Sequence, residues 1–376
     1  MKPHAAHLAR IVVLIALLIA LLALFNPYQL SSLAAEITNQ PVKGVLPSQP
    51  VPLEMALKAG ASLATKNRAA APLSQPKAER QVLPKDTSCS TIWASYPQGG
   101  YAIPDWLYTP AQPSDLATDE PYLYLAGKLL QAGLASAPNC PYNGLLLSGF
   151  ASPCGLEDAR AQVTSWQNRF DEAIYKSSVE NAVPASLLKR IFAQESQFWL
   201  GQSDDNQHFG IGQITEGGID PLFLSYPDYY RLVCTDVLSA ETCETKYAEL
   251  SNQNKALIRG YFVRTAIDAS CQECAEKYDT DKAKDTIDIF AKLIVANCEQ
   301  VSRVIVDITE QKPGTVSTYA DLWRYTLLNY NGGSGCVSGA IEATVNANEP
   351  VDWLHVSARL QNHCKGSLDY IEKVSR

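Results

Sequence analysis

The stretch Leu187-Leu188-Lys189-Arg190-Ile191-Phe192-Ala193-Gln194-Glu195-Ser196-Gln197-Phe198 decides how this chain is read. Leu187, Leu188, Ile191, Phe192 and Phe198 recur at helical spacing, which predicts an amphipathic helix with Pro184 in its first turn. Glu195 lies four residues after Ile191 and seven after Leu188, so its carboxylate extends the apolar stripe rather than the solvated face. Burial disfavours the charged form of a carboxyl group and raises its pKa. A carboxylic acid that stays neutral near neutral pH can hand a proton to a leaving oxygen, which is what glycosidic bond cleavage requires. The bland alternative is a buried glutamate paired with an arginine or held by backbone donors.

Outward from this helix the same period dominates. Ala159, Val163, Trp166, Phe170, Ala173 and Ile174 make one helical stripe, and Ile287, Phe290, Ile294, Cys298, Val301, Ile305 and Ile308 make another. Thr318 and Asp321 read as a capping box that starts a helix with Leu322, Tyr325 and Leu328 on one side, ended by Gly332-Gly333. Alternating apolar-polar runs are few. The expected fold class is mainly α.

Fifteen residues after Glu195 comes Gly210-Ile211-Gly212-Gln213, and much later Asn329-Tyr330-Asn331-Gly332-Gly333. With Glu195-Ser196, these stretches resemble the Glu-Ser, Gly-Leu-Met-Gln and Ala-Tyr-Asn-Ala-Gly signatures of the soluble lytic transglycosylase family, whose fold is that of goose-type lysozyme. Tyr370-Ile371 resembles that family's closing tyrosine. The resemblance covers roughly residues 182–213 and 319–337. Gly212 stands where the family carries Met, Asn329 and Gly332 where it carries Ala, and Asp204 where it carries Ser. The 116 residues between Gln213 and Tyr330 exceed the spacing of compact members, so an insertion is expected around residues 217–281.

The resemblance implies cleavage of the β-1,4 bond between N-acetylmuramic acid and N-acetylglucosamine in peptidoglycan, with formation of a 1,6-anhydro end. It implies Glu195 as the single catalytic residue, first acid and then base. It implies Ser196, Phe209, Gly210, Ile211, Gln213, Tyr330, Asn331 and Tyr370 as substrate-binding positions, with no metal and no cofactor. Gly210 and Gly212 would let the backbone approach the sugar closely. Gln213 either bonds near the substrate or fixes its own loop, and Asn331 either binds substrate or caps its helix. Tyr330 and Tyr370 are contacts to the acid or packed core tyrosines. Two other functions remain open. If Asp204 or Asp205 holds a water at the anomeric carbon, the enzyme is a lysozyme-type hydrolase. If the cleft is retained without chemistry, the chain is a wall-binding module.

The composition is compatible with this. The 376 residues carry 31 Lys and Arg against 39 Asp and Glu, a formal charge of -8, which argues against a nucleic-acid binder. Ile11 to Phe25 is an unbroken apolar run of fifteen behind Lys2 and Arg10, so residues 1–35 read as a signal peptide or signal anchor. The positive charge precedes the run, which predicts an extracytoplasmic protein, secreted or held at the membrane by this segment. Residues 36–88, punctuated by prolines, read as a linker with one weak helix at 53–71. Residues 89–154 hold Trp93, Tyr96, Tyr101, Trp106, Tyr108, Tyr122 and Tyr124 and read as a small disulfide-held, loop-rich unit, followed by the lysozyme-like domain at 155–376. Its aromatics either stack on sugar or pack a core.

Ten cysteines behind an export signal predict structural disulfides. Proximity suggests Cys234 with Cys243 and Cys336 with Cys364. Cys298 is expected to take Cys271 or Cys274, and one of Cys89, Cys140 and Cys154 the remaining sulfur.

Overall fold

A computed structural model describes residues 103–201 and 207–376. The targeting segment, the linker with its weak helix, Cys89, Trp93, Tyr96, Tyr101 and the Asp204-Asp205 pair lie outside the described residues. The architecture is mainly α.

Two short 3-10 turns, Asp105–Leu107 and Pro113–Leu116, lead into α1 (Leu123–Gln131), α2 (Pro153–Asp158), α3 (Arg160–Asn168), α4 (Asp171–Asn181) and α5 (Ala185–Ser196). A two-stranded antiparallel hairpin follows, β1 (His208–Phe209) and β2 (Ile214–Thr215). Then come α6 (Asp220–Ser225), α7 (Pro227–Cys234), α8 (Ala240–Cys243) and α9 (Asn252–Phe262), which runs into a π-helical turn at Val263–Ile267. The 30-residue α10 (Thr280–Thr309) is followed by α11 (Pro313–Val316), α12 (Tyr319–Gly332), α13 (Ser334–Asn346), α14 (Trp353–Ala358) and α15 (Gly366–Val374). Among the described residues no helix is long and apolar enough to cross a membrane.

The fold is organised around α10, which packs against α4, α6, α12 and α13. Its length follows from its sequence. Asp279 caps the first turn by accepting from the amides of Asp281 and Lys282, and Ile287, Phe290, Ile294, Cys298, Val301 and Ile305 are all buried. The expected capping box of α12 is present, with Thr318 and Asp321 satisfying each other's amides. The stripe expected to form one helix from Ala159 to Ile174 is instead shared by α3 and α4. The chain turns at Arg169 and Phe170, and the turn lets Phe170 stay buried while Asp171 opens the next helix. There Asp171 accepts at 2.7 Å from the buried ammonium of Lys189 on α5, which also donates to Asn168. Lys189, a residue type normally found in solvent, is thus a buried strut between α4 and α5.

Residues 103–154 share the core with the rest: Trp106, Leu107, Leu116, Leu125 and Leu129 belong to the same hydrophobic cluster as α5 and α10. The sulfurs pair as Cys140–Cys154, Cys234–Cys243, Cys271–Cys274 and Cys336–Cys364, and Cys298 is also disulfide-bonded. Two expectations are therefore corrected. Cys298 takes neither Cys271 nor Cys274, because a tight turn closed by backbone bonds from Cys274 to Cys271 and from Lys277 to Cys274 brings those two together. Cys140 and Cys154 take each other, because a turn at Gly144 brings the start of α2 back beside Cys140.

Candidate functional site

Helix α5 ends abruptly. Gln197 and Phe198 both adopt left-handed backbone, with φ of 48° and 66°, and reverse the chain immediately after Glu195 and Ser196. The reversal is pinned from three sides. Phe198 is buried, its carbonyl accepts from the Trp166 indole at 2.9 Å, and the Gln197 side-chain oxygen accepts from the amides of Tyr124 and Leu125 at the start of α1. Those two amides are among the orphan donors of a helix N-terminus, so the glutamine acts as a cap supplied from another element.

Ser196 is buried, and its hydroxyl donates to the Ile211 carbonyl at 2.7 Å. This bond ties the end of α5 to the tip of the hairpin, Gly210-Ile211-Gly212-Gln213. The tip is tight: Gly210 has φ of 67°, Gln213 has φ of 48°, and the Gln213 amide returns to the Gly210 carbonyl at 3.0 Å. The Gln213 side chain also donates to Gly210 at 2.8 Å and reaches the Gly201 carbonyl at 3.3 Å. Of its two proposed roles, fixing the loop is the one these bonds serve.

The two glycines of the tip face protein. A Cβ on Gly210 would come within 3.0 Å of the Ile267 carbonyl oxygen, and one on Gly212 within 2.3 Å of the Phe290 ring. The expectation that they clear space for a sugar is corrected at these positions, since the space belongs to α10 and the π-helical turn. Phe290 is fully buried and also packs edge-on to Tyr330 at 5.4 Å and against Phe192 at 4.9 Å. Sequence reading placed Phe290 in a core stripe; nothing in its spacing pointed to the hairpin.

Glu195, Tyr330 and Tyr370 come together from α5, α12 and α15. The Tyr330 hydroxyl donates to the Gly212 carbonyl at 2.9 Å, so this tyrosine braces the hairpin while lying close enough for the Glu195 charge to act on it. Tyr370 is buried, its hydroxyl lies beside the Glu195 carboxyl, and burial, aided by the charge of Glu195, holds its pKa well above the ordinary tyrosine value. That hydroxyl has no hydrogen bond of good geometry, yet it is close enough to favour the carboxylate form. Burial is the larger influence on Glu195 and raises its pKa to about 7, with Tyr370 opposing the rise. No ion pair holds Glu195 among the described residues.

The remaining sequence candidates are placed as follows. Phe209 and Ile211 are buried, and their side chains pack the hairpin onto the core. Asn331 is exposed on the last turn of α12. Its neighbour Asn329 is buried and donates to Asn297 and Gln300, at 2.7 and 2.9 Å, locking α12 to α10. Among the described residues one cluster has metal-ligand spacing, Cys336 with His363 and Cys364, and both of its sulfurs are spent in a disulfide and offer no thiolate.

Chemically, the arrangement presents a carboxyl group that is about half protonated near pH 7, fixed at a rigid helix end and flanked by two phenols. It can give a proton to a bound oxygen and take one back. Compared with family models, with curated protein sequences and with solved structures, the chain has no match.

Proposed function

We propose that the chain is an exported lytic transglycosylase of peptidoglycan on a lysozyme-like α-helical scaffold, with Glu195 as its single acid and base. The observation that carries this reading is the pKa of about 7 at Glu195. An ordinary glutamate is ionised at neutral pH and has no proton to give. Glu195 divides its time between both forms, which suits a group that must act in both directions. As acid it protonates the glycosidic oxygen. As carboxylate it then accepts the proton of the muramoyl 6-hydroxyl as that oxygen closes on the anomeric carbon. The proton returns to the carboxyl and the cycle resets without water.

The surrounding bonds support the reading by explaining why the motif residues are there. Ser196 orients the helix end against Ile211, Tyr330 holds the hairpin through Gly212, and Tyr370 closes over the acid. The glycan strand is the partner; a signal or anchor at residues 11–25 would deliver the enzyme to the outer face of the membrane. No nucleic acid and no cofactor enter this chemistry.

The test is a peptidoglycan digest with wild type and Glu195→Gln, read by mass spectrometry of the released muropeptides. Anhydro ends from wild type, absent with the variant, support the reading. Reducing muramic acid ends, heavier by one water, would replace it with a hydrolase. Strand binding without cleavage in both proteins would replace it with a wall-binding module.

A further inference from the structure

Leu129 to Leu156 is a run of 28 residues without a single Asp, Glu, Lys, Arg or His, in a chain whose charged content is 19%. Such a stretch ordinarily belongs to a core. Its flanks do: Leu129, Ala135, Ala137, Cys140 and Ala151 are buried. Its centre does not. Leu147 is fully exposed, at 109% of its reference area, Tyr142 is 86% exposed, and Leu146 and Phe150 are 48% and 40% exposed.

The exposure is built into the backbone. The Leu146 amide donates to the Phe150 carbonyl at 2.8 Å, the Gly149 amide returns to Leu146 at 2.9 Å, and Gly149 takes φ of 82°. Leu145 bridges to Ala151, the Gln131 side chain donates to the Gly149 carbonyl at 2.7 Å, and the Cys140–Cys154 disulfide closes the base. A turn fixed at so many points holds these leucines outward, and clustered exposed apolar side chains of this kind mark an interaction site.

We infer that the Tyr142–Phe150 turn is a lipid-contacting tip that inserts Leu146, Leu147 and Phe150 into the interfacial layer of a bilayer. Residues 141–150 carry no Asp, Glu, Lys, Arg or His. A protein partner would be expected to meet a polar, hydrogen-bonding rim around the apolar centre, and a sugar would need hydrogen-bonding side chains around a flat ring. A fluid hydrocarbon phase asks only for apolar area, and Tyr142 suits the headgroup boundary beside it. The chain itself argues for a bilayer nearby, since Ile11 to Phe25 reads as a membrane-directed run, and the inference rests on that reading for its choice of occupant.

The experiment uses the full chain carrying Leu147→Trp, bound to phosphatidylcholine vesicles with either ordinary or dibrominated acyl chains. Fluorescence is taken as the difference from wild type, so the six native tryptophans cancel. The expected result is a blue shift of the added emission, loss of most of it in brominated vesicles, and protection from iodide. Phe150→Trp should behave alike. Emission that is indifferent to bromine and fully quenched by iodide overturns the inference. Emission protected from iodide but indifferent to bromine also overturns it, and points to contact with a second copy of the chain.

Discussion

The Phe290 ring occupies the space that a side chain on residue 212 would need: a Cβ there would lie 2.3 Å from its Cδ2 atom. The glycine and the phenylalanine, 78 residues apart in sequence, are one packing decision. Gly212→Ala should therefore destabilise by about 1–3 kcal/mol, the usual cost of overpacking a dense core. Phe290→Leu should relieve that clash, so the double variant should be more stable than the sum of the singles allows. Urea unfolding of the four proteins measures the coupling. Additive losses would mean that the hairpin moves away from α10 at no cost.

Glu195 should be a pH-dependent burden on the fold. Its pKa is about 7 in the folded state against 4.5 ordinarily, so between these values the native protein holds a proton that the unfolded chain has released. Stability attributable to this group is highest below pH 4.5 and falls as pH rises through 7. The full difference is about 3 kcal/mol, from a shift of this size. Glu195→Gln should thus have little effect on thermal stability at pH 4.5 and raise it clearly at pH 8. Equal effects at both pH values would mean that the carboxyl is solvated.

Under the proposed function the same group sets the expected rate profile. Activity that needs the protonated acid should decline as pH rises through about 7. The Tyr370 hydroxyl favours the ionised form, so Tyr370→Phe should move that alkaline limb to higher pH. A lower turnover at pH 6 with an unmoved limb would assign Tyr370 to packing alone. The profile is read from muropeptide release in a pH series.

The Cys336–Cys364 bond spans 28 residues and ends two residues before α15, the helix that carries Tyr370. Replacing both cysteines by serine should cost about 3–4 kcal/mol by loop-closure entropy. It should also loosen α15 beside Glu195, bringing the acid's pKa back toward the ordinary value, which carboxyl NMR can follow.

Ser196→Ala removes the 2.7 Å bond to Ile211 and strands a carbonyl. A loss of about 1–3 kcal/mol is expected, the cost of an unsatisfied buried acceptor. The hairpin amides should exchange with solvent faster than those of α10.

The acid on its greasy stripe was legible because helical periodicity acts over a single turn: Glu195 shares a face with Ile191 and Leu188, and both are buried. The capping box of α12 was legible for the same local reason. Several contacts between distant segments could not be read. Phe290 gave no sign that it fills the gap at Gly212. Lys189 finds its partner Asp171 on the preceding helix rather than one turn away, a pairing that helical spacing does not show. Gln197 ends α5 while its side chain caps α1, a contact that no local pattern announces. The break between α3 and α4 was invisible because the apolar spacing continues across it.

Glu195, Tyr330 and Tyr370 enter from α5, α12 and α15, and the last of them is made 175 residues after the first. Without α15 the half-buried Glu195 carboxyl would lose the Tyr370 phenol beside it and lie more open to solvent. The burial that raises its pKa would be lessened, and the value would move toward that of an ordinary glutamate. The surroundings of the acid are therefore assembled only when segments 175 residues apart in sequence have met.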